Sequence, residues 1–237
     1  SRSVISSRSS FSARAAGVIG MMTFGRQHAW LLDADMHLDK DLLRGFVDQF
    51  GGRPFLVFGF TFMAWRYLLQ QLEPGEVDLS QGILIHSGGW KQLESEAVDN
   101  AAFKQDWLRR TGLSTVRNFY GMVEQIGSTF FEGADGWLHA PNFADVVIRR
   151  PSDWSVADHG EPGVIEVISA LPTSYPGNVL LTEDLGVSAP ESVDGTWRGP
   201  RFRVLGRLPR AELRGCSDTH AASVDAAPVR TEAGSRG

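Results

Sequence analysis

Apolar residues recur along the chain with two different periods, and the periods alternate. Val4-Ile5-Ser6 reads as the end of a strand. Residues 12–24 place Ala13, Ala16, Val18, Met21 and Met22 at helical spacing, with Gly17 and Gly20 weakening the signal unless a backbone packs closely there. Ala29-Trp30-Leu31-Leu32 predicts a short strand. Asp39 is placed to cap a helix whose apolar positions are Leu42, Leu43, Phe46, Val47 and Phe50, ended by Gly51-Gly52 and Pro54. Phe55 to Phe60 is a continuous apolar run, as expected for a buried parallel strand. Thr61 is placed to cap a helix over 62–72, Gly82 to His86 predicts a second buried strand, and a helix follows over about 91–110, interrupted near Asp99-Asn100. Val116 to Tyr120 predicts the next strand. The alternation argues for a parallel sheet with helices on its faces.

After Gly127 the pattern changes. Short strands at 130–131, 137–139, 145–149, 163–169, 179–182 and 202–205 are separated by Gly, Pro and Asp, with no helical period from 127 to 210. The expected fold is therefore α/β: a parallel sheet with flanking helices over 1–126, then an antiparallel, barrel-like or curled β subdomain over 127–219. A flexible tail is expected over 220–237.

Composition narrows the function classes. A net charge of −5 over 237 residues argues against an electrostatic nucleic-acid binder. The single cysteine, Cys216, excludes an intrachain disulfide framework and fits a reducing, cytoplasmic setting. No apolar run is long enough for a membrane span. Residues 1–32 contain Arg2, Arg8, Arg14 and Arg26 but no acid, a composition also found in transit segments. A chain that begins in mid-fold fits the packed character of residues 17–22 better.

The candidate chemistry gathers at predicted strand ends. Asn118 to Gln125 joins a strand to a glycine, Gly121, and then to Glu124 and Gln125. Ligands in open α/β sheets sit at carboxyl ends of strands. Tyr120 offers a flat face for a nucleotide and Glu124 a hard oxygen for a metal ion; a strand-end turn with a core aromatic and a solvated glutamate fits equally. Ser87-Gly88-Gly89-Trp90 follows a strand, and its glycines allow close backbone approach, as a ligand loop or as a tight turn. Leu181 to Gly186 sets Glu183 and Asp184 at an expected strand end, where a carboxylate can take two ribose hydroxyls or simply face water in a hairpin turn. Arg207 ends an alternating strand and can hold ribose or phosphate. Cys216 is a candidate acyl acceptor, although most lone cysteines are small buried hydrophobes. The histidines (28, 37, 86, 139, 159 and 220) have no metal-binding spacing, and no GxSxG occurs. His86, beside the Gly-Gly loop, reads as a satisfied core histidine near the cleft.

Six segments together carry a resemblance: HSGGWK (86–91), NFYGMVEQ (118–125), LHAPNFADVVIR (138–149), EPGVIEVIS (161–169), SYPGNVLLTEDLG (174–186) and LGRLPRAELRGCSDT (205–219). Over residues of about 1 to 220 the chain resembles the LuxE-type acyl-protein synthetases, the fatty-acid-activating component of bacterial luminescence systems. It is more distantly similar to phenylacetate–coenzyme A ligases and the wider adenylate-forming superfamily. The resemblance implies ATP-dependent activation of a fatty or other hydrophobic carboxylic acid to an acyl-adenylate. Transfer to a thiol would follow, on a protein cysteine, coenzyme A or an acyl carrier, and an acyl reductase would be a partner. It further implies that Ser87, Gly88 and Gly89 line the adenine pocket, that Tyr120, beside Gly121, stacks on the adenine, and that Glu124 holds Mg2+. Asp184 would take the ribose hydroxyls, with Arg207 as a second contact, and Phe58, Phe60, Thr61 and Trp65 would wall the acyl pocket.

The chain departs from the superfamily pattern at Val123, where a threonine normally helps to hold the α-phosphate. The Ser/Thr/Gly-rich phosphate loop and the lysine of the small carboxyl-terminal domain are not found in it. The 237-residue piece is accordingly expected to bind ATP weakly and to adenylate poorly. The competing expectation is a non-catalytic module that keeps the fold and docks a reductase or carrier.

Overall fold

The computed structural model describes residues 13–90, 97–191 and 197–208. Its nine strands form one sheet: β1 (Phe55–Phe60), β2 (Gly82–Ser87), β3 (Thr115–Tyr120), β4 (Phe130–Glu132), β5 (Leu138–His139), β6 (Ala144–Arg149), β7 (Gly163–Ser169), β8 (Val179–Ala189) and β9 (Arg201–Arg207). Their order across the sheet is β1-β2-β3-β4-β5-β9-β8-β7-β6. β1, β2 and β3 run parallel. From β4 onward every pairing is antiparallel. The direction of pairing thus changes between β3 and β4, immediately after the Tyr120 strand end.

Helix α1 spans Ala13–Met22 and α2 spans Lys40–Phe50. The Asp39 carboxylate accepts from the Leu42 backbone N–H at 2.8 Å, so the expected cap forms. Residues 61–71 form α3, which passes from an α turn through a π segment to a 3₁₀ turn. Helix α4 spans Asn100–Thr111; Asp99 caps it by accepting from Ala102 N–H, and Gly112 ends it in the left-handed region at φ 73°.

Several expectations are corrected. Residues 29–32 make no strand beyond a Leu32–Leu38 bridge. The Asp33 carboxylate accepts from the N–H groups of Asp35 and His37 and folds the segment back on itself. Among the described residues the parallel part therefore has three strands. Thr61 does not cap α3; its hydroxyl pairs with His86 Nδ1 at 3.0 Å. β1 is half-buried throughout because only β2 pairs with it among the described residues. β2 alternates, burying Gly82, Leu84 and His86 while Ile83 is exposed. β8 does not stop at Thr182 but runs to Ala189. Val4–Ser6, residues 91–96, Cys216 and the expected tail lie outside the described residues.

Two hydrophobic clusters flank the strand where direction changes. The first packs Leu84 and Val116 of β2 and β3 against Trp65, Leu69, Phe103 and Trp107 of α3 and α4. The second joins Phe130, Ile165, Val167 and Phe202, and Tyr120 packs against it. β3 therefore contributes Val116 to one cluster and Tyr120 to the other, which fixes Tyr120 from both ends. At about 25 cal/mol per Å2 of apolar surface removed from water, burial on this scale outweighs the local propensities of the individual segments. Among the described residues no helix is long and apolar enough to cross a membrane.

Candidate functional site

Parallel register sets the geometry at the strand ends. Phe60 pairs with Ser87, and Ser87 with Phe119, so β1, β2 and β3 finish at one level. Gly88 and Gly89 leave β2 at that level and are exposed. Gly88 has φ 83°, a conformation that a side chain would strain. Ser87 turns its hydroxyl to the Phe119 carbonyl at 2.8 Å, tying the loop to β3.

Tyr120 stands at the end of β3. Its ring meets Phe202 edge-on at 5.8 Å and Phe130 at 6.2 Å. Its hydroxyl donates to Asp184 Oδ2 at 2.7 Å. Burial, reinforced by the Asp184 carboxylate, pushes the phenol well above its ordinary pKa, so it stays a neutral donor. Arg207 Nε lies 3.6 Å from Asp184 Oδ1, and its Nη2 is 2.7 Å from Glu183 Oε2. β8 and β9 bring these charges together because Asp184 and Arg207 are register partners. Three residues 64 and 23 positions apart in sequence thus form one cluster, Tyr120–Asp184–Arg207, at the edge of the second hydrophobic cluster.

Asp184 does not sit in a hairpin turn. Gly186 lies inside β8 at a register shift, where a Cβ would stand 2.7 Å from Ile165 Cδ1 and 2.9 Å from the Arg203 carbonyl oxygen. The glycine serves the bulge, and the bulge aims the Asp184 side chain at Tyr120.

After Gly121 the chain makes a 3₁₀ turn, Val123–Gln125. Glu124 is exposed on it, and Val123 is 43% exposed with no hydroxyl to offer a phosphate. Gln125 is buried and donates from Nε2 to the carbonyls of Gly177 at 2.8 Å and Val167 at 3.3 Å. The sequence reading passed over this anchor. The available signal was an amide beside a carboxylate in a turn between two strands, where one side chain must face inward. Glu124 supplies the type of hard oxygen donor that Mg2+ takes, on a turn open to solvent.

The expected acyl-pocket residues are divided. Phe58 and Phe60 line a cavity of about 760 Å3 beside β1, with Met21, Met22, Phe46 and Met63. Trp65 lies instead in the first cluster, its ring 5.7 Å from those of both Trp90 and Phe103. Thr61 is buried against His86. The alternation of β1 sends Phe58 and Phe60 to one face of the sheet, while the α3 tryptophan covers the other. Asp33, Asp35 and His37 form a further group whose ligand atoms lie within 4.8 Å of one another, a proximity that the spacing of histidines alone did not reveal. All three are exposed, and Asp33 is engaged by its own turn.

The sequence pattern of the family described as "Acyl-protein synthetase, LuxE" matches residues 9–224. A long-chain-fatty-acid–luciferin-component ligase of Aliivibrio fischeri is 24% identical over 172 residues, covering 70% of this chain and 43% of that protein. The protein of the same description from Vibrio harveyi is 24% identical over 137 residues, covering 56% of this chain and 35% of that protein. The chain thus spans less than half the length of these relatives. Among solved structures, an open conformation of 2-hydroxyisobutyryl-CoA ligase, in complex with 2-HIB-AMP and CoA, superposes with a TM-score of 0.59. It is 17% identical, and the match covers 84% of this chain and 43% of that one. That likeness bears on the fold.

Proposed function

The chain belongs to the acyl-protein synthetase (LuxE) family, and on that premise we propose that it forms part of an ATP-dependent enzyme that activates a hydrophobic carboxylic acid and passes the acyl group to a thiol. The observation that carries this reading is the Tyr120–Asp184–Arg207 cluster, gathered at the end of β3 one residue past the Phe119–Ser87 pair that leads into the Gly88-Gly89 loop. Adenine stacks on the Tyr120 ring beside the exposed glycines. Asp184 accepts from the ribose hydroxyls and Arg207 supplies a fixed cation next to it.

A carboxylate oxygen of the acid attacks the α-phosphorus of ATP, the bond to the β,γ-phosphates breaks, and pyrophosphate leaves. In the second step a thiolate sulfur attacks the acyl carbon and AMP leaves with the bonding pair. The protein's part is to position the two reactants and to face developing charge with fixed partners. Glu124 would hold Mg2+, which neutralises phosphate charge when bound. The cavity beside Phe58 and Phe60 supports a hydrophobic acid. Cys216 is the candidate acceptor within the chain; coenzyme A, a carrier thiol or a cysteine of a partner reductase are the others.

A second reading, a docking module without catalysis, is favoured by two observations. Val123 has no hydroxyl, and the Tyr120 hydroxyl already occupies one oxygen of Asp184. Hydroxylamine trapping with the full-length protein across a panel of acids separates the two. Acyl-hydroxamate dependent on ATP and on a long-chain acid supports the ligase. No hydroxamate with any acid, from a folded protein, leaves the docking module. Asp184→Ala in the same protein is expected to weaken ATP binding at least tenfold, since charge-assisted hydrogen bonds are worth about 1.5–3 kcal/mol.

A further inference from the structure

Nε2 of His86 and Oδ1 of Asn118 are buried, and neither has a hydrogen-bond partner among the described residues. They belong to neighbouring strands and to paired positions, because the β2–β3 register sets His86 beside Asn118. Side chains at paired positions leave a sheet on the same face. Here it is the face covered by α4. The His86 ring lies 4.6 Å from that of Phe103, and Val116, two residues before Asn118, packs in the same cluster. Both unpaired atoms therefore look into the layer between β2–β3 and α4.

The polar groups that lead to them are hydrogen-bonded, while Trp107 Nε1, on α4 in the same cluster, also has no partner among the described residues. His86 Nδ1 lies 3.0 Å from Thr61 Oγ1. The Asn118 backbone N–H donates to Glu132 Oε2 at 2.9 Å. Glu132, buried, accepts at Oε1 from Lys104 Nζ at 2.6 Å and Asn100 Nδ2 at 2.5 Å. Two polar chains thus end facing each other. Their chemistry is complementary. A Thr61 hydroxyl that donates to Nδ1 leaves the neutral imidazole with its proton on Nε2, a donor, and Asn118 Oδ1 is an acceptor. Burial drives the His86 pKa down to about 4, so the ring is neutral near pH 7. A buried donor and acceptor that do not reach each other are the usual setting for an ordered water.

We propose that one water molecule joins His86 Nε2 to Asn118 Oδ1, completing a buried polar chain from Thr61 to Glu132 and Lys104, and that His86 is a positioning residue that locks the carboxyl ends of β1, β2 and β3 together. Thr61 directly follows β1, and Asn118 stands two residues before Tyr120. A shift anywhere along this chain moves Phe60, the Gly88-Gly89 loop and Tyr120 relative to one another. The kinetic part of the proposal rests on the ligase reading; the water and the coupling do not.

A crystal structure of the full-length protein that resolves solvent is expected to place a water within hydrogen-bond distance of both atoms. A direct His86–Asn118 hydrogen bond, or a dry gap, would overturn the proposal. Thermal melting supplies a second arm. His86→Phe and Asn118→Leu should each lower the melting temperature, and the double variant should lose less than the sum of the two. Full additivity counts against a shared bridge. Where His86→Phe does not fold, His86→Gln and His86→Asn decide. Glutamine keeps a polar N–H near the Nε2 position, asparagine only near Nδ1, so glutamine should retain more stability and more activity. The reverse order refutes the assignment. In hydroxamate trapping, His86→Asn should lower kcat on the order of tenfold with KM for ATP unchanged, as expected for misplaced reactants. A wild-type protein that forms no hydroxamate removes the ligase reading, while the water and melting arms still decide the bridge.

Discussion

The Tyr120 hydroxyl donates to a carboxylate while its ring is walled by Phe130 and Phe202. Tyr120→Phe keeps the walls and removes only the hydrogen bond. Because the acceptor is charged and only partly exposed, the variant should lose about 1–2 kcal/mol in urea unfolding. An unfolding midpoint equal to the wild type would mean that Asp184 finds water as good a partner. Gln125 shows what one side chain can do at a turn. Its buried amide pins the Glu124 turn to the carbonyls of Val167 and Gly177, so the solvent-facing carboxylate stands on a fixed base. Neither role follows from residue type. A tyrosine at a strand end and a glutamine after a glutamate fit a bland turn equally well, and only the approach of β8 and of residues 177–178 decides between the readings.

At the scale of elements, local signals were good guides where the element carries its own instructions. Asp39 caps the helix expected after it, and Asp99 caps α4 where the sequence suggested only an interruption. Asp99→Ala should cost about 1 kcal/mol of stability, read as a lowered unfolding midpoint, because the first turn of α4 loses its acceptor. The 29–32 segment misled because its apolar run is followed by Asp33, whose carboxylate folds the chain back. β8 misled in the opposite direction. Gly186 reads as a turn signal, yet it is the residue that lets a long strand bulge past Ile165. Gly186→Ala should destabilise by about 1–3 kcal/mol and also weaken nucleotide binding, since the bulge sets the direction of Asp184. Loss of stability with unchanged nucleotide affinity would separate the bulge from the site.

Two groups with large shifts, the buried His86 and the half-buried Asp135, shape the molecule's response to acid. His86 has its pKa lowered from 6.5 to about 4, chiefly by burial, with the Lys104 charge adding to this and Glu132 opposing it. The unfolded chain takes a proton near 6.5 and the folded chain only near 4. The contribution of His86 is therefore fully present above 6.5 and is lost as the pH falls from 6.5 to about 4. Asp135 extends the loss to lower pH. Burial opposes its charge, but hydrogen bonds from His139, Arg201 and the Trp137 N–H outweigh burial and hold it at about 2 rather than 3.8. Its contribution is present above 3.8 and is lost as the pH falls toward about 2. Urea midpoints at pH 7 and pH 5 should differ, and His86→Phe should flatten that difference. An unchanged difference would place the titrating group elsewhere.

Local and periodic features were legible in the sequence: strands β1, β2 and β3 with their covering helices, beside a fourth expected strand at 29–32 that is only a bridge, the switch to antiparallel strands after Gly127, the Asp39 cap, and the short motifs that carry the family resemblance. These depend on spacing along the chain, which a sequence holds directly. Packing between distant segments settled that Phe58 and Phe60 face a cavity while Trp65 fills the opposite layer, that Asp184 meets Tyr120, and that His86 and Asn118 end side by side under α4. Those pairings arise from register between strands far apart in sequence. Register is settled when burying the whole set of apolar faces outweighs each local preference, so no single stretch of the chain contains it.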